Sequence, residues 1–367
     1  MQTHTVTIAG KVIGDDHPCF ITAEAGSNHN KNLEQAKKLI DVAVAARADA
    51  VKFQTFRASK TYTENAGYAD YLGAKKSICE IVREMEMPYE WIAELARYCD
   101  QRSIVFFSAP FDEESVDILE PHVPCFKIAS YEATHLPLVK YIAKKGKPII
   151  LSLGVTSFDE TREALDTIVA AGNKNVILQH CIASYPAPLR ESNLAVIQTL
   201  KREFGVPAGL SDHTREPLPA CLGAVALGAN IVEKHFTLSN TLPGPDHAYA
   251  LEPHELATFV QEIRAYEARP VGYGALVKRF PDLAAARGDG IKRIMPAEQE
   301  LYHFARRSIF AIRPIAAGDT FTPENTAVLR NGKNVPGLAP REYERLLGKR
   351  ARNTVAPFVG IAANDIE

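Results

Sequence analysis

The chain has 367 residues, 46% of them hydrophobic and 23% charged, and its 42 basic against 44 acidic residues leave a formal charge of −2. That length allows one large domain or two, and the near-neutral charge supplies no basic field for nucleic acid or an anionic membrane surface. No apolar stretch reaches the ~20 residues of a bilayer span, the opening MQTHTVTIAGKV lacks the regions of a secretory signal, and six cysteines without a CxxC pair predict reduced thiols in a cytoplasmic protein.

Eight short apolar runs, each closing on a polar or charged residue, follow in chain order: CFITAEAG (19–26), AVKFQTF (50–56), IVFFSAPF (104–111), CFKIAS (125–130), PIILSLG (148–154), VILQHC (176–181), PAGLSDH (207–213) and NIVEKHF (230–236). Segments of helical period separate most of them. In NLEQAKKLIDVAVAARA, Leu33, Ala36, Leu39, Ile40, Ala43 and Val44 share one face, with charges opposite. Strands alternating with helices make parallel βα units, and eight of them in about 250 residues predict a closed (β/α)8 TIM barrel. An open doubly wound sheet fits less well. No GxGxxG turn follows the first run, and polar residues are spread over all eight ends.

The barrel is read as residues 1–278. A polar, Arg-rich linker of weak periodicity follows at 279–303. From 304 to 367 the pattern changes, and SIFAIRPIAAGDTFTPENTAVLR alternates like strands about an Ala-Gly-Asp turn. A unit of roughly 60 residues is marginal alone, so it is expected to pack on the barrel or on a partner subunit.

The C-terminal strand ends of a parallel barrel converge on one mouth. Those ends carry Glu24, Asn28 and His29, then Lys52 and Gln54, then Ser108, Lys127, Ser130 and Ser152. The last three bring His180, Asp212 with His213, and Glu233 with Lys234 and His235. Desolvating unpaired charge is costly, so ionisable groups on so many strands predict a polar ligand rather than solvated loop charges. Two lysines flanked by serines suit a phosphate and a carboxylate; a Schiff-base lysine is the alternative. His213 and His235, on adjacent strands, are candidate ligands of one divalent metal, better matched to Mn, Fe, Co or Zn than to Mg. The competing reading makes them hydrogen-bonded core residues. Glu24 is a candidate general base or ligand, or a carboxylate that orients a loop. No P-loop, HExxH or GxSxG is present.

The segments EAGSNHN, VKFQTF, SAPFDEESVD, KIASYE, PIILSLG, HCIASYPAP, GLSDHT, GAVALGANIVEKHFT and GPDHAYALEP, in that order, resemble the N-acetylneuraminate (sialic acid) synthase family. RRSIFAIRPIAAGDTFTPENTAVLR and ERLLGKRA resemble its C-terminal antifreeze-like (SAF, β-clip) domain, so the likeness covers nearly the whole chain. The resemblance implies condensation of phosphoenolpyruvate (PEP) with N-acetylmannosamine or a related 2-acetamido sugar, giving a nine-carbon 2-keto-3-deoxy acid and phosphate, in a domain-swapped homodimer. It implies that His213 and His235 hold the metal, Mn2+ first with Mg2+ or Co2+ as alternatives, and that Glu24 lies beside it. It implies PEP contacts from Lys52, Lys127, Ser130 and Ser152, with Tyr185 lining the same pocket. Sugar contacts are implied for Gln54, Asp246 and Glu298, and Arg330 and Phe304 match groups supplied by the partner subunit. The strand-end reading adds His180 to the substrate residues.

The chain departs from the family pattern at Ala109, Tyr131, Leu153, Ala183 and Asn331. Three of these departures imply a lost hydroxyl or amide facing PEP, each worth about 1.5–3 kcal/mol. KIASYE leans toward pseudaminate-type synthases and GPDHAYALEP toward sialic- or legionaminic-type enzymes, so the acceptor stays open. Legionaminic or pseudaminic acid synthesis from a 2,4-diacetamido sugar, and a spore-coat-polysaccharide homologue with another acceptor, are the alternative enzymes. A catalytically silent carbohydrate-binding homologue is the alternative outside enzymes; the retained Glu24, Lys52, Lys127, His213 and His235 argue against it.

Overall fold

All eight runs become parallel strands of one closed barrel in the computed structural model, which describes residues 4–70, 73 and 76–367. An antiparallel hairpin that the sequence reading did not anticipate, β1 (Val6–Ile8) and β2 (Lys11–Ile13), precedes them and sinks Val6, Ile8 and Ile13 into the barrel's core. The barrel strands are β3 (Phe20–Gly26), β4 (Ala50–Thr55), β5 (Val105–Pro110) and β6 (Phe126–Ile128), then β7 (Ile149–Ser152), β8 (Val176–Cys181), β9 (Ala208–Asp212) and β10 (Ile231–His235). β10 pairs with β9 on one side and with β3 on the other, which closes the ring.

The helix Leu33–Ala45 starts where Asn32 accepts from the Gln35 N–H, and it buries Ala36, Leu39, Ile40 and Ala43 as its period predicts. Ser157 and Glu160 form a capping box at the start of helix Phe158–Ala170. With such helices outside and alternate strand side chains inside, the ring places charged groups at one end of a fully buried sheet. The six cysteines are free and buried. Among the described residues, no helix is long and apolar enough to cross a membrane.

The stretch expected to be a plain linker is partly helical. Leu283 and Ala286 on the helix Leu283–Ala286 belong to the barrel core, and the helix Gln299–Phe304 leads into the C-terminal unit. There β11 (Arg307–Ala311) pairs antiparallel with β12 (Thr326–Arg330) over a separate core that includes Ile309, Ile315, Phe321, Val328 and Ile361. The end of β12 lies on the same chain's barrel mouth, where the Arg330 N–H donates to the Thr61 carbonyl at 2.8 Å.

Candidate active site

Period-two alternation aims Glu24, Lys52, Lys127, Glu233 and His235 into the mouth from β3, β4, β6 and β10. Register sets them side by side: Glu24 is level with both Lys52 and His235. The Lys52 ammonium lies 2.8 Å from Glu24 Oε1 and 3.3 Å from Glu233 Oε1, and Lys127 lies 2.7 Å from Glu233 Oε2. Lys127 also donates to Gln179 Oε1, and Ser152 donates to the same oxygen at 3.5 Å. All five ionisable groups are buried.

Burial raises the Glu24 pKa, and Lys52 only partly opposes it. For Glu233 the upward push of burial is outweighed by Lys127 and Lys52, and the carboxyl stays below its ordinary range. Burial lowers Lys127 despite Glu233, whereas Glu233 and Glu24 overcome burial at Lys52 and raise it. The Glu24 Oε2 atom is buried without a partner. Such an atom is costly unless a ligand or proton meets it.

His213 and His235 lie across the mouth with ring centroids 5.5 Å apart. Burial pushes the His213 imidazole down to about 4, and His235 well below its usual value, so both are neutral. His213 Nδ1 lies 2.9 Å from the Ile182 carbonyl, which requires its proton there and leaves the Nε2 lone pair free for a metal. Two neutral imidazoles beside a partnerless carboxylate oxygen fit the donor chemistry of a divalent cation. Among the described residues no group of three His, Cys, Asp or Glu side chains is poised as a cage, so substrate and water would complete the shell. The Tyr185 ring lies tilted against that of His213 with centroids 4.3 Å apart, and the Tyr249 hydroxyl reaches His235 Nδ1 at 3.5 Å.

These groups floor a cavity of about 1100 Å³, part of it open to solvent. Gln54, which donates to Glu24 at 2.8 Å, lines it with Ser130, Ser152, Tyr185, Asp246 and Arg330. The Ser130 hydroxyl accepts the Gly154 N–H at 3.0 Å, which ties the loop after β6 to the loop after β7. Burial pushes Asp246 up to about 6.

Several expected site residues stand elsewhere. His180 points away from the cavity: its Nε2 meets the Ser192 carbonyl at 2.8 Å, and its neighbour Gln179 takes the inward position. The strand-end reading was one residue out of phase there, and such a slip moves a side chain to the opposite face. Glu298 is fully buried and accepts the backbone N–H groups of Val155, Ala183 and Met295 at 2.7, 3.0 and 2.9 Å. It fastens the linker to two barrel loops and does not line the cavity. Phe304 packs 5.8 Å from the Tyr62 ring in an apolar cluster, also outside the cavity. Arg330 does line the cavity, at the end of β12, which lies on the barrel mouth of the chain described.

The departures sort likewise. Ala109, Leu153 and Ala183 lie in apolar clusters and none of them lines the cavity, so the implied hydrogen-bond losses at the substrate have no counterpart at these side chains. Tyr131 does line it. Asn331 accepts from the Ser308 hydroxyl at 2.6 Å and donates to the His303 carbonyl at 3.3 Å, which braces the turn after β12. Gln179, Glu132 and Arg307 were missed, and with the last two the buried trio that they form with Arg330. Strand parity reveals Gln179. Nothing local reveals an ion pair between residues 175 positions apart.

Residues 39–273 match the NeuB family and residues 306–367 match the SAF domain. The chain is 43% identical to the spore coat polysaccharide biosynthesis protein SpsE of Bacillus subtilis, across 98% of this chain and 96% of that one. It is 40% identical to the N,N'-diacetyllegionaminic acid synthase of Campylobacter jejuni, across 90% and 95%. The crystal structure of the Bacillus subtilis protein superposes with a TM-score of 0.86 at 41% identity, covering 99% of both chains. With the barrel and the C-terminal unit both in agreement, the chain belongs to the NeuB family and carries a C-terminal SAF domain.

Proposed function

We propose that the protein condenses PEP with the open-chain form of an N-acetylated amino sugar, yielding a nine-carbon 2-keto-3-deoxy acid and inorganic phosphate. The observation that carries this reading is the buried Lys52–Glu233–Lys127 chain beside two neutral imidazoles at one barrel mouth. The lysines are already balanced by Glu24 and Glu233, so a phosphate with a carboxylate demands further positive charge. The surplus cation of the Arg307–Glu132–Arg330 group and a divalent ion held by His213 and His235 would supply it, which leaves Glu24 ionised.

Lys127, Ser130 and Ser152 suit the phosphate, and Lys52 the carboxylate of PEP. When bound, the metal, Mn2+ with Mg2+ or Co2+ as alternatives, supplies Lewis-acid polarisation of the sugar's carbonyl. C3 of PEP attacks the aldehyde carbon, a carbon–carbon bond forms as the carbonyl π bond breaks, and C2 is left electron-poor while the sugar oxygen becomes an alkoxide that later takes the proton collected by Glu24. Water adds to C2 and gives its proton to Glu24, whose burial-raised pKa suits it to holding one. The C2–O bond to phosphate then breaks, with negative charge gathering where the lysines stand. The keto acid and phosphate leave.

The relative named for diacetyllegionaminic acid supports this class of reaction. N-acetylmannosamine, giving N-acetylneuraminate, is the simplest acceptor. A 2,4-diacetamido sugar is the second reading, favoured by that relative. The proposal includes a homodimer with small-molecule substrates. The test is phosphate release from PEP carrying 18O in the bridging position, with each sugar offered separately. Release that requires a sugar, retains the label in phosphate and stops with EDTA is expected. Unlabelled phosphate, or no release with any sugar, refutes the reading.

A further inference from the structure

One buried ion pair has no part in the chemistry proposed above. Ser211, His213, Glu233 and His235 line the cavity, so Asp212 and Lys234, which the sequence reading set at the mouth with them, point to the other face of the sheet. There they lie against the helix Pro219–Ala226, whose Cys221 thiol reaches Asp212 Oδ2 at 3.5 Å. Lys234 is 2% exposed. Its ammonium donates to Asp212 Oδ2 at 2.5 Å, to the Thr214 carbonyl at 2.7 Å and to the Thr214 hydroxyl at 3.2 Å. Asp212 in turn accepts the Thr214 N–H at 2.9 Å and the Thr214 hydroxyl at 3.0 Å. The carboxylate therefore closes a turn with His213 in its middle, and Lys234 holds both ends of that turn from the neighbouring strand. Register makes the arrangement symmetric: Lys234 pairs with Asp212 across β10 and β9, and the residue after each is a histidine of the candidate metal pair.

We propose that Lys234 and Asp212 are positioning residues that fix the spacing of His213 and His235 for a divalent cation. The inference rests on the metal reading of those two histidines. Contacts with the Ile182 carbonyl and the Tyr249 hydroxyl orient the two rings, but the backbones that carry them belong to different strands. The β9–β10 register ends at the Asp212–Lys234 pair, and from there the Lys234 ammonium carries the connection to the turn that holds His213. Affinity for a metal depends on that placement, because ligands must be held to within about 0.5 Å. Stability alone is a poor reason for such a pair. Burying two charges against an apolar helix costs about what their attraction returns, and well-packed apolar side chains of similar size are often as stable or more so. Apolar side chains cannot supply direction, whereas an ammonium with three acceptors selects one arrangement of the turn.

The test separates position from stability. Combining Asp212→Leu with Lys234→Met removes both charges together and strands neither. The thermal unfolding midpoint of this double variant, measured with EDTA, is expected within about 4 °C of the unaltered protein or above it. Its Mn2+ affinity, read from the free-ion paramagnetic resonance signal, is expected to fall at least tenfold, as when the contacts that orient a metal ligand are lost. Thr214→Val keeps both charges paired and takes one hydroxyl out of the brace, and it decides the matter where the double variant does not fold. A loss of about three- to tenfold in Mn2+ affinity is expected there, the effect of one hydrogen bond. Affinity within about twofold of the unaltered protein, in the folded double variant or otherwise in Thr214→Val, overturns the positioning role and leaves the metal reading standing. A loss of affinity accompanied by a midpoint lowered by about 10 °C or more assigns the pair to stability and overturns the role as well. If the unaltered protein binds no Mn2+, the metal reading and the inference fall together.

Discussion

Arg330 donates to one oxygen of Glu132 from two nitrogens, Nε at 3.2 Å and Nη2 at 2.7 Å, and so ties the C-terminal unit to the barrel at the edge of the active-site cavity. Arg307 reaches the same oxygen at 3.1 Å, and Tyr131 and Phe111 each lie 4.8 Å from the Arg330 guanidinium. Glu132 is fully buried, so one carboxylate holds two guanidinium groups out of water. Position and charge at the cavity rim therefore depend on a contact between distant parts of the chain.

Glu132→Gln keeps the shape and removes the charge, leaving Arg307 and Arg330 buried without a counter-ion. Breaking a buried pair in this way costs about 3–5 kcal/mol. Urea unfolding should show a loss of that order, together with faster proteolysis near the linker and a raised KM for the acceptor. A loss under about 1 kcal/mol, within the range of exposed pairs, would contradict the role given to Glu132.

Lys127→Met should act on PEP rather than on the sugar. It removes a charged hydrogen bond worth about 1.5–3 kcal/mol, so KM for PEP should rise by roughly ten- to a hundredfold. Glu233 then keeps only Lys52, and its pKa should rise. Calorimetric titration with PEP checks the affinity, and an unchanged value places the phosphate elsewhere.

The barrel was legible because its signals are local. Each strand is a short apolar run ending in a polar residue, and each helix carries its own period and caps. Glu24, Lys52, Lys127, His213 and His235 were legible for the same reason, since a charge at the end of a buried strand has few other uses. His180 was misplaced because VILQHC is apolar on both faces and its phase is set only by Leu178 and Gln179 pairing with neighbouring strands. Glu298 was misread because a carboxylate accepting three backbone N–H groups looks, in sequence, like any loop acid. The Glu132–Arg307–Arg330 group arises from tertiary folding alone, between segments whose local patterns do not mention one another.

Asp246 gives a pH dependence of definite sign. Burial raises its pKa to about 6, against a hydrogen bond with Tyr249 and the charge of Lys52. The carboxylate is therefore half protonated near pH 6 and a weaker acceptor below it. With PEP saturating, KM for the sugar should rise as pH falls through about 6, approaching tenfold per unit, while KM for PEP does not follow that step. Asp246→Asn should abolish the step. A sugar KM that is flat from pH 5 to 7 in the unaltered protein removes Asp246 from the acceptor site.

Manganese binding has a direct readout in the loss of the free-ion electron paramagnetic resonance signal. One ion per chain is expected, with affinity lowered at least tenfold by His213→Asn or His235→Asn. Even indirect ligand support is worth ten- to a hundredfold. His180→Asn should leave it unchanged, since that ring faces Ser192. Equal binding by all three variants would move the metal away from the barrel mouth.

Mixing altered subunits distinguishes a C-terminal unit that serves its own barrel from one exchanged between chains. Arg330 and Lys52 line one cavity within one chain, although exchanging the C-terminal unit between two copies would reproduce the same contacts between chains. Lys52→Met and Arg330→Ala should each be nearly inactive. Co-refolding the two should restore nothing if each site is completed by its own chain, because every site then carries one lesion. Exchange of the unit would give mixed dimers one intact site and one doubly altered site, and activity would return to about a quarter of the unaltered level, half of the chains having paired unlike and half of their sites being whole. No return is the outcome expected of the arrangement within one chain, and a return to about a quarter that of exchange.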